Sequence, residues 1–492
     1  MEGQNRKKPS IVVSLIPIMV LVGLLFCTIR IFGSGALEGG SQIVLLTSTA
    51  ICCFIALIIS KIEWREIEQA IVRNIAGIAP AILILLIIGA LSGAWMIGGI
   101  VPTLIYYGIQ ILHPSFYLVS ACVVCAIVSV MTGSSWTTIA TIGIALLGIG
   151  QAQGFSLGWI AGAIISGAYF GDKISPLSDT TILASSVTGT PLFTHVRYLM
   201  ITTIPSMLIT LVIFAVVGFF YETTATDQIT LYMSSLKETF NISLWLLLVP
   251  VATIVMIVKK VPSIVTLFLS TALAGILALI FQPQLLQEIA GNIDGFGVKF
   301  KGLLVTFYGG SNIDTGNIEL NDLVSTRGMA GMLNTIWLII CAMCFGGAMT
   351  ASGMLESITS LFFRFMKRTV GAVASTVVSG IFLNLTTADQ YISIILTGNM
   401  FKDIYKEKGY ESRLLSRTTE DAVTVTSPLI PWNTCGMTQA TILGVSTFTY
   451  FPYCFFNLIS PVMSILIASF GYKIHKNYHH SVSNEINEAI EK

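Results

Sequence analysis

Long apolar stretches alternate with short polar connections along most of the chain. A helix needs about 17 to 25 apolar residues to cross a bilayer. Uninterrupted stretches of about this length cover residues 11–32, 42–60, 75–99, 201–221, 243–258, 263–281, 331–353 and 451–472. Polar residues interrupt four further apolar regions, at 116–150, 157–187, 371–400 and 418–445. The pattern predicts an all-α protein that crosses a membrane many times.

The most polar interruption is GDKISPLSDTT at residues 171–181, which carries two aspartates, a lysine and four hydroxyl side chains between apolar flanks. Ionisable groups at membrane depth are costly unless they are paired or hydrated, so they are functional candidates. Pro176 removes a backbone donor and disfavours helix at Ser175. We therefore expect a membrane helix that is broken near its middle and offers carbonyl, hydroxyl and carboxylate oxygens to a small ligand.

Lysine and arginine positions predict the orientation, because these residues favour the cytoplasmic side of a membrane. Basic residues within 6–8, 61–73, 259–260, 364–368, 402–417 and 473–476 are assigned to the inside, and the regions near 113 and 151–154 to the outside. This assignment requires 116–150 and 371–400 to enter and leave on the same side, as re-entrant hairpins. The prediction is about ten membrane helices, two hairpins, and broken helices at 157–187 and 418–445.

The two halves of the hydrophobic chain resemble each other. Thr137 and Thr138 recur as Thr386 and Thr387 after 249 positions, and Asp172 and Asp421 have the same spacing. SPLSDT at 175–180 matches SPLIPWNT at 427–434, and GAWMIGGI at 93–100 matches GAMTASGM at 347–354. Two segments of the first copy that lack Lys and Arg, after residue 100 and near residue 151, match basic segments of the second copy at 364–368 and near 402. Matching segments are thus predicted to face opposite sides of the membrane, which indicates an inverted repeat.

This layout divides the chain into five regions. They are a cytoplasmic N-terminus at 1–9, a first repeat at 10–221, an external connection at 222–241, a second repeat at 242–472 with an external loop at 282–327, and a cytoplasmic tail at 473–492.

Each predicted repeat pairs a polar hairpin with a broken helix, and unwound backbone together with side-chain oxygens suits a hard cation such as Na⁺. The candidate binding residues are Ser134, Ser135, Thr137, Thr138, Asp172, Lys173, Ser175, Ser178, Asp179 and Thr180 in the first repeat, and Thr386, Thr387, Asp389, Asp421, Ser427 and Asn433 in the second. Asp172 and Asp421 are the expected Na⁺ ligands, and Lys173 is expected to neutralise Asp172 when the site is empty. Asp179 and Asp389 are alternatively helix caps. Because a buried carboxylate does not hold a proton and a sodium ion together, one such site is sufficient for exchange.

Composition supports a membrane protein, since 54% of the 492 residues are hydrophobic and 10% are charged, against about 25% charged residues in soluble proteins. A net charge of +1, with no basic cluster beyond 6–8, excludes the electrostatic footprint of a nucleic-acid-binding protein. We expect no cofactor, and the lipid bilayer as the surrounding medium.

The segment 132–190, with GSSWTTIATIG and GAYFGDKISPLSDTTILAS, resembles the signature region of the NhaC family of sodium/proton antiporters, and 418–436 resembles it more weakly. The resemblance implies a multi-pass protein of a prokaryotic cytoplasmic membrane that exchanges internal Na⁺ for external H⁺ by alternating access. It also implies paired hairpins and broken helices at the site, and commonly a homodimer. Some family members exchange malate for lactate and others move amino acids, so a small carboxylate or an amino acid is the alternative cargo.

Other functions fit the sequence less well. Two aspartates on separate membrane helices also occur in intramembrane aspartyl proteases, but Tyr169 stands where their Gly-x-Gly-Asp pattern requires glycine. Passive channels are usually rings of subunits, whereas a single-chain inverted repeat suits alternating access. A carboxylate cargo would need a basic residue in the cavity, and Lys173 is the deep candidate. We therefore expect a transporter, without enzymatic activity, that carries an inorganic cation.

Overall fold

The computed structural model describes residues 9–32, 39–221, 226–291, 297–316, 320–321, 324–363, 366 and 368–474. Regular structure in these ranges is helical, apart from an isolated bridge between Ser311 and Thr326. Residues 1–8 and 475–492, which include most of the predicted termini, lie outside the described residues, as do Arg364 and Lys367 of the predicted basic loops.

The main helices are numbered in chain order. They are α1 Ile11–Phe32, α2 Gly40–Ile58, α3 Trp64–Gly77, α4 Ala79–Ile97, α5 Ile100–Ile111, α6 Tyr117–Thr132, α7 Ser135–Ala152, α8 Leu157–Ile174, α9 Asp179–Thr188, α10 Leu192–Phe220 and α11 Thr226–Thr239. The second half contains α12 Leu248–Val258, α13 Ser263–Phe281, α14 Pro283–Ile289, α15 Val298–Tyr308, α16 Leu333–Ala351, α17 Met354–Phe363, α18 Thr369–Thr387, α19 Gln390–Glu407, α20 Ser412–Thr419, α21 Thr434–Leu443 and α22 Phe455–Ser469.

The number of membrane-length helices confirms the predicted polytopic all-α class. In the described ranges, nine helices are long and apolar enough to cross a membrane, or up to eleven if each of two bent pairs is one span. The bent pairs are Ile229–Thr239 with Leu244–Val258, at 89°, and Thr447–Tyr453 with Phe455–Ser469, at 55°. Helices also occupy the predicted external segments, with α11 in 222–241 and α14 and α15 in 282–327.

Both polar hairpins fold back on themselves. In the first, the Tyr117 hydroxyl at the start of α6 donates to the Leu146 carbonyl near the end of α7, at 2.5 Å. In the second, the hydroxyls of Thr376 in α18 and Tyr405 in α19 lie 2.9 Å apart. The two ends of each hairpin are therefore close together, and each tip points away from them into the protein.

The backbone of the first hairpin and broken helix repeats 255 positions later. Gly133 and Ala388 at the two tips both have left-handed backbone, with φ of 64° and 57°. Ser134 and Asp389 then begin the next helix as N-caps, and their side chains accept from the amides of Thr137 and Ile392. Further pairs at this spacing are Ser178 with Asn433 at the starts of α9 and α21, and Gly189 with Gly444 at their ends.

This spacing differs from the 249 positions predicted from the threonine pairs. Thr137 and Thr138 follow the first tip, whereas Thr386 and Thr387 precede the second, so similar residues occupy different structural positions. At the observed spacing Thr132 corresponds to Thr387. The GAWMIGGI and GAMTASGM match is retained, because both segments end their helix at a left-handed glycine, Gly99 with φ 77° and Gly353 with φ 69°.

The two repeats exchange helices. Helices α2 and α3 pack on α16 of the second repeat, and α13 and α15 pack on α4 of the first. A Cβ on Gly347 would lie 2.7 Å from the Ile71 Cα, and one on Gly93 would lie 2.3 Å from the Thr306 carbonyl oxygen. Glycine at these two positions thus allows equivalent close helix crossings, which join the halves into one body.

The first broken helix is held tightly against the first hairpin. Backbone contact between α8 and α6 is so close that a Cβ on Gly167 would lie 2.0 Å from the Cys122 carbonyl oxygen. Ser175 and Ser178 have extended backbone between α8 and α9, as expected around Pro176. The second broken helix has a wider break, with a π-helical turn at Glu420–Thr424 and a 3-10 turn at Ser427–Leu429 before α21.

Candidate functional site

Asp172 lies where the first broken helix meets the first hairpin tip. One carboxylate oxygen accepts from the Ser135 amide at 3.2 Å and from its hydroxyl at 2.7 Å. The other accepts from the Ser178 hydroxyl at 2.6 Å, and that hydroxyl is 2.9 Å from the Thr180 hydroxyl. The Asp172 residue is 5% exposed, and no described lysine, arginine or histidine pairs with it. Four predicted site residues therefore form one oxygen-rich cluster.

The remaining predicted hydroxyls of the first repeat bond to nearby backbone or to one another. Ser134 Oγ accepts from the amide and the hydroxyl of Thr137, at 3.2 and 3.1 Å. Thr138 donates to the Ser134 carbonyl at 2.9 Å, and Ser175 donates to the Val130 carbonyl at 2.8 Å. These four residues shape the tip and the break, and none of them hydrogen-bonds to the Asp172 carboxylate.

The equivalent junction in the second repeat is built from different residue types. Asp389 caps α19 by accepting from the Ile392 amide at 2.9 Å, and its other oxygen accepts from the Thr434 hydroxyl at 3.1 Å. Ser427 on the broken helix donates to Gln390 Oε1 on the hairpin at 2.8 Å. These residues lie 255 positions after Asp172 and Ser135, so the two contacts are equivalent. The acceptor is on the broken helix in the first repeat and on the hairpin in the second. The second carboxylate is thus on the hairpin tip rather than on the broken helix.

Three predicted residues of the second repeat have local bonds. The hydroxyls of Thr386 and Thr387 each donate to a carbonyl one turn earlier in α18, at 2.9 Å. Asn433 caps α21 by accepting from the Cys435 amide at 3.1 Å.

Asp421 lies in a separate cluster and forms an ion pair with Lys173. The Lys173 ammonium also donates to Ser460 Oγ at 2.8 Å, and Asp421 also accepts from the Thr202 hydroxyl at 2.9 Å. Successive residues of an α-helix point about 100° apart, so Lys173 and Asp172 face different neighbours. Lys173 therefore neutralises Asp421, not Asp172 as expected from the sequence, and Asp421 is not the structural counterpart of Asp172.

Two more charged residues complete this buried cluster. Arg417 Nε lies 3.8 Å from the second Asp421 oxygen, and the guanidinium lies 4.8 Å from the centre of the Tyr198 ring. Glu420 is fully buried beside Asp421. Two cationic and two acidic side chains balance one another when all are ionised. Lys173 and Arg417 both pair with Asp421, and Lys173 is the closer partner. Burial of these charges is tolerated because they are paired.

A cavity of about 730 Å³ connects the two junctions. Its lining includes three carboxylates, Asp172, Asp179 and Asp389, and the aromatic side chains Trp136 and Tyr391. Arg73, Asn74 and Ser263 also line it, and Arg73 and Ser263 are exposed. The cavity thus leads from an exposed rim to both hairpin tips, while Asp421 and Lys173 are absent from its lining.

Sequence reasoning missed several members of these clusters. Gln390 directly follows the second tip and could have been found by aligning the helix caps instead of the threonine pairs. Trp136 and Tyr391 are also equivalent at 255 positions. Thr202 and Ser460 are hydroxyl residues in apolar helices, where such side chains commonly bond to the backbone of their own helix, so they carry no signal of their own.

Known proteins resemble this chain over most of its length. Residues 167–472 match the family described as "Na+/H+ antiporter family". The chain is 36% identical over 460 residues to the Malate-2H(+)/Na(+)-lactate antiporter of Bacillus subtilis, covering 93% of this chain and 95% of the relative. It is 36% identical to the Na(+)/H(+) antiporter NhaC of the same organism, covering 82% and 87%. It is 33% identical to the Arginine/ornithine antiporter ArcD of Halobacterium salinarum, covering 95% and 94%.

The matched region begins within α8 and contains the break of the first broken helix, the second hairpin and the second broken helix. No group of three or more His, Cys, Asp or Glu side chains in the described ranges could hold a resident metal ion. Asp172 and its hydroxyl partners present oxygen atoms, the ligand type that hard cations prefer. The chain belongs to the Na⁺/H⁺ antiporter family.

Proposed function

We propose that the chain exchanges Na⁺ for H⁺ and that Asp172 binds the two ions alternately. The observation that carries this proposal is a buried carboxylate with three hydrogen-bond donors and no basic partner. An isolated charge in such a place is costly, so Asp172 requires either a proton or a bound cation. The protonated and the Na⁺-bound states are then the two stable forms.

The surrounding hydroxyls suit both forms. A hydroxyl can donate a hydrogen bond to a carboxylate and can also direct a lone pair at a cation. Ser135 and Ser178 therefore hydrogen-bond to the carboxyl group when it is protonated and supply ligand oxygens when Na⁺ is bound. Because Ser135 is on the hairpin and Ser178 is at the helix break, ion binding draws the two elements together.

Alternating access requires that the site open to one side at a time. The cavity reaches Asp172 from a rim that contains Arg73 and Ser263. Arg73 and the Lys259–Lys260 pair that precedes Ser263 belong to basic segments, which favour the cytoplasm. We infer that this conformation is open to the cytoplasm, with both termini on that side and the protein in the cytoplasmic membrane of a prokaryote.

The test is Na⁺-driven proton movement in proteoliposomes with an acidic interior. Addition of Na⁺ outside should make the interior alkaline in the wild type and not in Asp172→Asn. Since protons and Na⁺ compete for one carboxylate, the KM for Na⁺ should rise up to about tenfold for each pH unit in the acid range, with little change in the maximal rate. Asp403→Asn is the matched control, because Asp403 is exposed on α19 and does not line the cavity.

Retention of full exchange by Asp172→Asn would exclude Asp172 as the ion site. To separate loss of function from loss of folding, the variant's thermal unfolding in detergent should match that of the wild type. Asp172→Glu, which keeps the charge, should retain part of the exchange.

The alternative is an exchanger that couples the ion to an organic solute. One observation favours it, since a cavity of about 730 Å³ is far larger than a sodium ion and has the size of a small-molecule site. Proton movement should therefore be measured with Na⁺ alone and with malate, lactate and amino acids. Exchange with Na⁺ alone supports the simple antiporter, and a requirement for a solute supports the alternative.

A further inference from the structure

Four helices begin at the inner end of the cavity. Helices α7, α9, α19 and α21 start at the two tips and the two breaks, and residues of each start line the cavity. Each helix N-terminus carries about half a positive charge and free amide groups, which commonly bind anions. Taken alone, this arrangement would favour a carboxylate solute.

At three of the four starts, side chains of the protein already accept from amides that could otherwise bind such a carboxylate. The side chains of Ser134, Asp389 and Asn433 accept from the amides of Thr137, Ile392 and Cys435, and Asp172 accepts from the Ser135 amide. An anionic solute would also meet three carboxylates of the lining. Asp172 is neutralised by a proton or by Na⁺ in the proposed function, so two ionised carboxylates remain. They balance about +2 from the four helix starts, at about +0.5 each, so the inner end has no net positive charge to hold an anion.

Asp179 is the carboxylate best placed to meet a solute. It is exposed in the first turn of α9 and lines the cavity, and no described residue forms a hydrogen bond or an ion pair with its side chain. By contrast, both oxygens of Asp172 and of Asp389 have hydrogen-bond partners. Asp179 therefore has free oxygens that face the open volume.

Aromatic rings lie at equivalent positions of the two hairpins in the same cavity. Trp136 and Tyr391 each follow the first residue of the helix after the tip, and both line the open volume. Aromatic faces bind ammonium and guanidinium groups. Among the described residues that line the cavity, Arg73 is the single basic side chain. It lies at the exposed rim and not at the inner end.

We propose that this cavity binds an organic cation in competition with Na⁺, with the guanidinium or ammonium group at Asp179 and between the aromatic rings of Trp136 and Tyr391. The inference rests on the proposed function and specifies the class of solute that the site accepts. It predicts that the cavity distinguishes solutes of similar shape by their charge. A solute of net negative charge such as malate is disfavoured by the acidic lining and by the amides that are already occupied.

The experiment compares arginine with citrulline, which has nearly the same shape but a neutral ureido group in place of the guanidinium. Both are added to wild-type proteoliposomes that take up ²²Na⁺, together with malate as an anionic probe. Arginine should raise the KM for Na⁺ without lowering the maximal rate, whereas citrulline and malate should have no effect. In detergent, arginine but not citrulline should raise the temperature of thermal unfolding.

Asp179→Asn should raise the inhibition constant of arginine about tenfold more than it raises the KM for Na⁺. A tenfold change corresponds to about 1.4 kcal/mol. Asp403→Asn should leave the inhibition constant of arginine and the KM for Na⁺ unchanged. Equal inhibition by citrulline, inhibition by malate, or normal ²²Na⁺ uptake that no arginine concentration inhibits would overturn the inference and leave the antiporter proposal intact. Stabilisation by arginine without any Na⁺ uptake would support cation binding and overturn the antiporter proposal alone.

Discussion

Lys173 of the first repeat forms an ion pair with Asp421 of the second, 248 positions later in the chain, and neither side chain is exposed. Lys173 directly follows Asp172, which binds the first hairpin tip through Ser135. The break in the first helix is thus attached on one side to the hairpin and on the other to the second repeat. A movement of the hairpin relative to the second repeat must act on this short segment.

The first prediction concerns the stability of this pair. Lys173→Met should lower the free energy of unfolding by about 3–5 kcal/mol, because it leaves the buried Asp421 charge without its partner. Asp421→Asn should also be destabilising, because it leaves the buried Lys173 charge without its closest partner. The double variant removes both charges and should recover most of the loss, as measured by thermal unfolding in detergent. If the double variant is as unstable as the sum of the two single variants, the pair is not the source of the effect.

The second prediction concerns the ligands of Asp172. Ser135→Ala and Ser178→Ala each remove a donor to the carboxylate and an oxygen for Na⁺, so each should raise the KM for Na⁺ about tenfold. Ser185→Ala is the matched control, since the Ser185 hydroxyl donates to the Ile182 carbonyl within α9 at 2.7 Å. Sodium uptake in proteoliposomes measures the KM for Na⁺ of each variant. An equal effect of all three variants would mean that the loss reflects helix packing and not ion binding.

The third prediction tests the equivalence of the two tips. Gly133→Ala should destabilise the protein by about 2 kcal/mol or more, because L-residues are strained in left-handed backbone and the new Cβ would lie 2.7 Å from the Leu177 carbonyl carbon. Ala388 already has this backbone with φ 57°. Ala388→Gly should therefore be neutral or stabilise by up to about 1 kcal/mol. Thermal unfolding compares the two variants, and similar losses at both positions would contradict the equivalence.

The backbone of the site was predictable from local sequence. A polar segment between apolar flanks, with Pro176 inside it, predicts a helix break, and α8 ends at Ile174 while α9 begins at Asp179. The contact of Asp172 with hydroxyls was also expected, because the hairpin and the break were expected to meet.

The partner of Asp421 could not be predicted in the same way. Whether Asp421 contacts a hairpin hydroxyl or Lys173 depends on how the packed helices are rotated about their axes. The hydropathy pattern does not specify this rotation. The threonine pairs also gave the wrong register, since similar residues stand on opposite sides of the two tips. Capping positions, which the backbone itself requires, identify equivalent residues more reliably than residue identity.

The last prediction concerns the side from which the cavity opens. Ser263 lines the exposed rim, and Ser234 is exposed in α11 within the predicted external connection. Cys27 is the exposed native thiol among the nine cysteines, so the tests use a Cys27→Ser background. A membrane-impermeant maleimide should label Ser263→Cys in inverted vesicles and not in intact cells, and should label Ser234→Cys in the reverse pattern. Because the two positions serve as controls for each other, labelling of both from one side would exclude the proposed orientation. Labelling of Ser263→Cys from outside alone would reverse it, and the cavity would then be the external entrance for the cation.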